Sequence, residues 1–360
     1  MLVERSSGAA AAFARRQGVI TPAPRDVWHE LAAADPSGLV SQTPEWIDVL
    51  CRSGYEDASR LYRTADGRRL LLPLVRRRGG VPRPFAPLAS VPASWGMGGL
   101  LADATPTAAD VALVVADLRR LPAVQVTVRP NPLHAAQWAQ ATRGTSAIAL
   151  PRRAHVLDLD GGPDAVWKRF RTSARSGVRK AQALGVEVRC GGLELLSDFR
   201  FLFELSVRRW AEMQHEPVAL AKLRAFRRDP PAKFLHVAEA MPHRLRVWVA
   251  YHDEEPVAGL IVLVGANASY TRGAMDKERA GSLHANELLQ WSAIQDACAA
   301  GCRSYHMGES GTSAALGAFK EKFGAKPVNY AELHLERLPI VRSQSAARSV
   351  VKHAVGFRDA

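Results

Sequence analysis

Helix and strand signals follow one another in the same order twice along this 360-residue chain, which points to two domains of the same α/β type. In the first half, Asp26 to Ala34 places Trp28, Leu31 and Ala32 at helical spacing. Thr43-Pro44-Glu45 opens a second helix, with Thr43 as cap and Trp46, Val49 and Leu50 as its apolar stripe. Ser59 to Thr64 and Leu70 to Arg76 read as strands joined through Asp66-Gly67, a hairpin signal. A Pro- and Gly-rich loop from Gly79 to Gly99 precedes a helix over Pro106 to Leu118 and a strand over Ala123 to Val128.

The second half repeats that grammar. Pro163 to Leu184 reads as one basic helix stopped by Gly185, followed by a strand from Val186 to Arg189 and a long helix from Glu194 to Gln214. Leu245 to Tyr251 and Val257 to Val264 are strands around the turn His252 to Glu255, and Ser269 to Gly273 is a third. A helix from His284 to Ala300 closes at Gly301. Then come a strand over Ser304 to Met307, a short helix over Ala315 to Phe323 and a strand over Tyr330 to Leu335. Pro130 to Pro151 is the candidate boundary, which gives domains 1–155 and 156–336, with the basic tail 337–360 as a candidate completion of the first. A helix is expected in that tail from Ser343 to Val355.

The length, at roughly 150 residues per domain, also favours two domains. The 47% hydrophobic and 23% charged residues are ordinary globular usage. The net charge of +13 favours an anionic partner without separating RNA, nucleotide phosphate and lipid. Cys51, Cys190, Cys298 and Cys302 have no metal-ligand spacing and read as reduced, buried or half-buried thiols, so no metal is expected. Ala9 to Ala14 is too short for a secretory core, and Val257 to Ala266 is about half a membrane span. The expected location is the cytoplasm, with no transmembrane segment; the oligomeric state is left open.

No nucleophile elbow, phosphate-binding Walker loop, zinc pattern or dinucleotide fingerprint is present, which counts against hydrolase, NTPase and dehydrogenase chemistry. Three other constellations stand out. Lys168, Arg169, Arg171, Arg175, Arg179 and Lys180 form a run without an acid, and Arg171, Arg175 and Arg179 are four apart on one helical face. Stacked like charges repel unless an anion lies across them, and guanidinium forks match phosphate. Alternatively this is a solvated basic face. Tyr305 to Ser313 carries a strand into a Gly-rich turn at Gly308, whose amides can cradle an anion, with Glu309 as a candidate base or a surface charge. In Leu316 to Gly324, Phe319 and Phe323 anchor a helix in the core, and Lys320 lies beside them as a candidate oxyanion or phosphate partner, or as an ordinary exposed lysine.

The segment Arg175 to Val186, with Arg179-Lys180-Ala181 and Gly185-Val186, resembles the "R-x-x-x-R-K-A-x-x-x-G-V" element of Fem-type aminoacyl transferases and their relatives in the GNAT superfamily. Glu287 to Ile294 is similar to the helix of that family, and Gly301 to Gly308 to its following strand. Leu316 to Gly324 is similar to its "G-L-x-x-F-K-x-x-F-G" element, with Ala315 in place of the first Gly. Gln42-Thr43-Pro44-Glu45-Trp46 is similar to its "Q-x-P-x-W" opening. The resemblance runs in order over about residues 40–335.

It implies two tandem GNAT-like domains, each a mixed, mostly antiparallel sheet flanked by helices. The implied activity is amide-forming transfer of an aminoacyl or acyl group, with aminoacyl-tRNA as co-substrate and no tightly bound cofactor. The acceptor would be an amine of a small molecule or cell-envelope precursor. In this reading Lys320 stabilises charge, Phe319 positions it and Glu309 is the base. Arg171, Arg175, Arg179 and Lys180 hold phosphates of tRNA or of a nucleotide-linked acceptor. Gly308 serves the cradle, and Trp95, Gly98 and Gly99 line an acceptor cleft. Two alternatives remain open: a CoA-dependent N-acetyltransferase, and a non-catalytic RNA- or precursor-binding module. Against the CoA alternative, Glu278 to Leu283 departs from the "R/Q-x-x-G-x-G/A" pyrophosphate loop, with Glu278 for Arg or Gln and Leu283 for a small residue.

Overall fold

A computed structural model describes residues 18–230, 232–311, 313–341 and 343. In chain order the helices are α1 (Arg25–Ala34), α2 (Pro44–Arg52), α3 (Ala108–Leu118), α4 (Ala135–Thr142), α5 (Gly162–Arg169), α6 (Thr172–Ala183), α7 (Leu196–Met213), α8 (Val218–Arg228), α9 (Ala232–Ala240), α10 (Lys277–Ser282), α11 (Ala285–Ala299) and α12 (Ala314–Glu321). The strands are β1 (Tyr55–Asp57), β2 (Arg60–Arg63), β3 (Arg69–Leu72), β4 (Val75–Arg77), β5 (Leu88–Ala89), β6 (Leu101–Ala102), β7 (Gln125–Val128), β8 (Ile148–Asp158), β9 (Glu187–Gly191), β10 (Leu245–His252), β11 (Glu255–Leu263), β12 (Ala268–Met275), β13 (Ser304–Glu309) and β14 (Lys326–Glu336). The chain divides at Arg153/Ala154: one unit holds the residues up to Arg153 and Val328–Ser343, the other holds Ala154–Pro327. The expected tail helix lies outside the described residues, except for Ser343.

The first unit pairs β1-β4-β5-β7-β14, antiparallel except for β5 with β7, and carries a second antiparallel sheet β2-β3-β6. The expected strand Leu70 to Arg76 is split between these sheets. Pro73 has no N–H for a ladder bond, so β3 ends at Leu72 and β4 begins at Val75 in the other sheet. The Asp66-Gly67 hairpin forms as expected, with Arg63 opposite Arg69. Thr43 does not cap α2 with its side chain; its hydroxyl donates to the Val40 carbonyl at 2.9 Å. Helix α4 and strand β8 occupy the stretch read as a boundary, and β5 with a 3-10 turn over Arg83–Phe85 lies in the stretch read as loop.

The second unit pairs β8-β13-β12-β11-β10-β9, antiparallel except for β12 with β13. One core joins α5, α6 and α11 to this sheet through Val166, Phe170, Val178, Leu260, Val262, Ile294 and Tyr305. Helix α7 covers β11 and β12; a Cβ on Gly259 would meet Phe199 at 3.1 Å, so a side chain there would push the helix back by a few tenths of an ångström. Gly185 and Gly301 close α6 and α11 as the sequence indicates. Both have positive φ, +75° and +74°, and in each the next N–H reaches back to the helix, Val186 to the Ala181 carbonyl and Cys302 to that of Ala297, both at 3.0 Å. Helices α8 and α9 are absent from the sequence reading.

The basic helix expected over Pro163 to Leu184 is two helices. Phe170 turns extended (ψ 141°) and is buried among Trp167, Trp291 and Phe323, with ring centroids at 5.5, 5.2 and 5.1 Å. The Arg171 amide then bonds the Lys322 carbonyl at 2.8 Å instead of continuing the helix. Burial of one aromatic ring, a gain of roughly 1.5–3 kcal/mol, outweighs the helical bonds given up at the break. Of the cysteines, Cys190 is exposed, which corrects the expectation for that residue.

Glu332 in the first unit and Asp229 in the second are carboxylates whose side chains, 6% and 5% exposed, each meet more than one basic group. Burial alone raises Glu332, but His334, Arg129 and Arg152 outweigh it and bring the carboxyl from 4.5 to about 2. Burial alone raises Asp229, and Lys233 and Arg272 bring it from 3.8 to about 2. A lowered folded-state value stabilises the fold above the unfolded value and is lost as pH falls through the folded one. Acid titration of stability is therefore expected to lose on the order of 2 kcal/mol for each group between about pH 4 and 2, and Glu332→Gln and Asp229→Asn to remove that slope. An unchanged slope in both variants would contradict these assignments.

Candidate functional site

Strands β12 and β13 run parallel but pair only at Ala268 with Tyr305 and Ser269 with His306. Beyond this β13 slips in register against β8 between His306 and Glu309, and Gly308 takes φ +71°. A Cβ at Gly308 would lie 3.5 Å from the Tyr270 carbonyl, so the positive φ rather than space selects glycine here. The chain turns again at Gly311, φ +54°, and enters α12, whose N-cap Ser313 accepts from the Leu316 amide at 3.3 Å.

Helix α12 returns Lys320 to the end of β13. Its Nζ donates to the carbonyls of Gly308, at 3.0 Å, and Glu309, at 2.7 Å, and the side chain is 2% exposed. These bonds use two of the three ammonium N–H groups. Burial lowers the Lys320 ammonium from 10.5 to about 8, against the opposing charge of Glu309. Lys320 is therefore a desolvated cation fixed to a Gly-rich turn, not an exposed surface lysine. Phe319 packs on Phe323 at 5.3 Å between ring centroids and lies under Lys322 Nζ at 4.4 Å, which fixes the helix that carries Lys320.

The same turn brings in residues that the sequence reading did not select. His155 on β8 is fully buried, its Nε2 3.5 Å from Glu321 Oε1, and its ring faces Gly317 at 3.7 Å from a Cβ there. Glu321 also pairs with Arg171 at 3.6 Å. The available signal was one histidine inside the apolar strand Ala154 to Leu157; its neighbour Glu321 follows only once α12 is placed.

Arg171 is thus the N-cap residue of α6 and belongs to the α12 junction, not to a stripe with Arg175 and Arg179. Arg175, Arg179 and Lys180 line a groove with Trp167, Thr172, Ser176 and Ala183, and no acid lines it, whereas Lys168 and Arg169 lie outside it. Arg179 lies 5.9 Å from the Trp167 ring centre, a cation–π contact that holds the guanidinium at the groove wall. Arg175 reaches the Lys168 carbonyl at 3.4 Å, leaving donors of its fork for an incoming anion.

Trp95, Gly98 and Gly99 lie in the first unit, where packing accounts for each. Trp95 stacks edge-on to Trp46 at 6.1 Å. Gly98 bridges to Pro130, and a Cβ there would meet Ser90 and Val91 at 2.9 Å; Gly99 has φ +93° against the Asn131 amide.

The stretch that departs from a CoA loop is helical. In α10 the Asp276 carboxylate accepts from the amides of Glu278 and Arg279, at 3.1 and 3.4 Å. The amides of Ala280, Leu283 and His284 bond to backbone carbonyls. A pyrophosphate would find these donors taken and a carboxylate at the helix N-terminus.

Residues 168–321 match a protein family described as "Acetyltransferase (GNAT) domain". The crystal structure of FemX is similar over 91% of this chain and 99% of that chain, at 13% identity and TM-score 0.64. A C-terminal domain of a putative lysylphosphatidylglycerol synthetase from Agrobacterium fabrum is similar over 92% and 96%, at 13% identity and TM-score 0.47. A tandem GNAT protein from the clavulanic acid biosynthesis pathway is similar over 93% and 96%, at 15% identity and TM-score 0.43. No curated protein matches. Among the described residues no helix is long and apolar enough to cross a membrane.

Proposed function

From a chain that carries a GNAT domain, we propose an amide-forming aminoacyl transferase that takes its acyl group from aminoacyl-tRNA and gives it to an amine of a small molecule or envelope precursor. The buried Lys320 on the Gly308–Glu309 turn carries the proposal. An acceptor amine attacks the ester carbonyl, forming the C–N bond and an oxyanion. The Lys320 ammonium stabilises that charge with its remaining N–H, in a site where burial strengthens electrostatics. Glu309 takes the amine proton. The C–O bond then breaks, and the terminal ribose oxygen of the tRNA leaves as a hydroxyl with the proton that Glu309 took from the amine. Arg175, Arg179 and Lys180 hold donor phosphates in the acid-free groove, with Arg171 tying that helix to α12 through Glu321.

The Fem-type motifs and the fold shared with FemX support an aminoacyl donor, and the occupied amides of α10 weigh against a CoA pyrophosphate. The second reading, transfer from acetyl-CoA, is favoured by the description of the domain itself. Incubation with charged tRNAs or with acetyl-CoA, each with a panel of amines, separates them by mass of the amide formed. Product from charged tRNA supports the proposal. Product from acetyl-CoA alone replaces it with the second reading. Salt-sensitive tRNA binding without turnover makes the protein a binding module.

A further inference from the structure

A cavity of about 350 Å³ lies under α7, α8 and the start of α9, within the size range of ligand sites. Its walls are Phe199, Phe203, Phe226 and Phe234, with Val207 and Ala225 between them. The charged groups at its base satisfy each other: Asp229 binds Arg272 at 2.7 and 2.9 Å and Lys233 at 2.8 Å. At the rim, Arg200 and Lys222 stand against one acid, Glu204.

Helix α8, which forms one wall, has its apolar residues reversed. It buries only Ala221 and Ala225, while Leu220, Leu223 and Phe226 are 37%, 46% and 58% exposed. It carries Lys222, Arg224, Arg227 and Arg228 and no acid; Arg224 pairs with Glu216 at 2.6 Å and Arg228 with Asp229 at 3.0 Å. Phe226 and Lys222 belong both to the cavity lining and to this exposed face, so the cavity mouth is apolar and basic at once. Large apolar groups turned to water beside a surplus of cations match a ligand with a hydrocarbon chain and a negative end.

We infer that the cavity binds the alkyl chain of an anionic amphiphile, the chain among Phe199, Phe203, Phe226 and Phe234 and the anion at Lys222. The cavity shares no lining residue with the basic groove proposed for the donor, so either donor is compatible with this ligand.

Calorimetric titration with octanoate, decanoate and dodecanoate below micelle formation tests it, with alkanols of equal length as neutral controls. Affinity is expected to rise about fourfold per added methylene until the cavity is full. Each carboxylate is expected to bind more tightly than its alkanol. Lys222→Glu is expected to weaken the carboxylates by at least about fivefold and leave the alkanols unchanged. Phe226→Ser, on an exposed side chain, is expected to weaken both classes with an unchanged thermal midpoint. Flotation with phosphatidylcholine vesicles, with and without phosphatidylglycerol, identifies the source. Capture by the anionic vesicles places the amphiphile in a bilayer, and binding confined to the free carboxylates makes it a soluble one. Binding that ignores chain length, or no binding at all, overturns the inference. So does a wild-type dimer that Phe226→Ser dissolves while the titrations stay blank, since the face would then cover a second copy of this chain.

Discussion

Lys320→Met is expected to lower kcat for amide formation by about 10²- to 10³-fold with KM little changed, the usual loss when one preorganised oxyanion partner is removed. Methionine preserves most of the side-chain volume at a site only 2% exposed, so a large cavity does not form. The variant does leave the Gly308 and Glu309 carbonyls without their donor, a folding cost of about 1–3 kcal/mol for each. Activity is therefore compared well below the melting midpoint of the variant. A kcat within about threefold of wild type would assign Lys320 to holding the end of β13 and remove it from the chemistry.

The second large effect is expected at the groove. Arg175→Glu with Arg179→Glu should weaken tRNA binding by about 10²-fold or more, because each replaces a charge-assisted phosphate bond with repulsion. The slope of log K against log salt should become shallower by about two, roughly one for each phosphate that an arginine no longer neutralises. Filter binding across a salt series measures both quantities. Arg189→Glu is the control, since Arg189 lies on β9 and pairs with Glu254 at 2.8 Å. An unchanged slope in the double variant would mean that the groove is a solvated basic face. Arg175 and Arg179 line the groove while Arg171 pairs with Glu321, so Arg171→Ala should change the slope less than either of the other two.

What the sequence revealed follows the range of the interactions involved. Gly185 and Gly301 close their helices because a left-handed residue is needed within a few positions, and that need is written locally. The Asp66-Gly67 hairpin is equally local. Phe319 and Phe323 touch as their spacing of four requires. The break at Phe170 was not legible, because its partners Trp291 and Phe323 are more than a hundred residues away. The same applies at Pro73, where the signal for strand is correct on both sides and only the two sheets explain the split.

The site was legible as residue types and not as environments. Lys320 was identifiable through its motif, but its burial and its grip on the Gly308 and Glu309 carbonyls depend on the slip of β13 against β8. His155 and Glu321 lie 166 positions apart in sequence (321 − 155) and meet only after β8 and α12 pack, so no spacing could pair them. Helices α8 and α9 escaped for a different reason. In α8 the large apolar residues Leu220, Leu223 and Phe226 face water while only Ala221 and Ala225 are buried, so the periodic signal that marks a core-facing helix is reversed; α9 is short and buries only Val237 and Ala238 of its apolar residues.

If Lys320 acts as a cation, the rate of transfer follows its protonation. Single-turnover transfer is measured for wild type and Lys320→Met from about pH 6 to about pH 10, and the ratio of the two rate constants is taken so that titration of the acceptor amine cancels. A lysine lowered to about 8 is charged below that value and neutral above it. The ratio is expected to be high and flat in acid and to fall about tenfold per pH unit above about pH 8. A ratio that stays constant across the range would show that the ammonium charge has no part in the reaction.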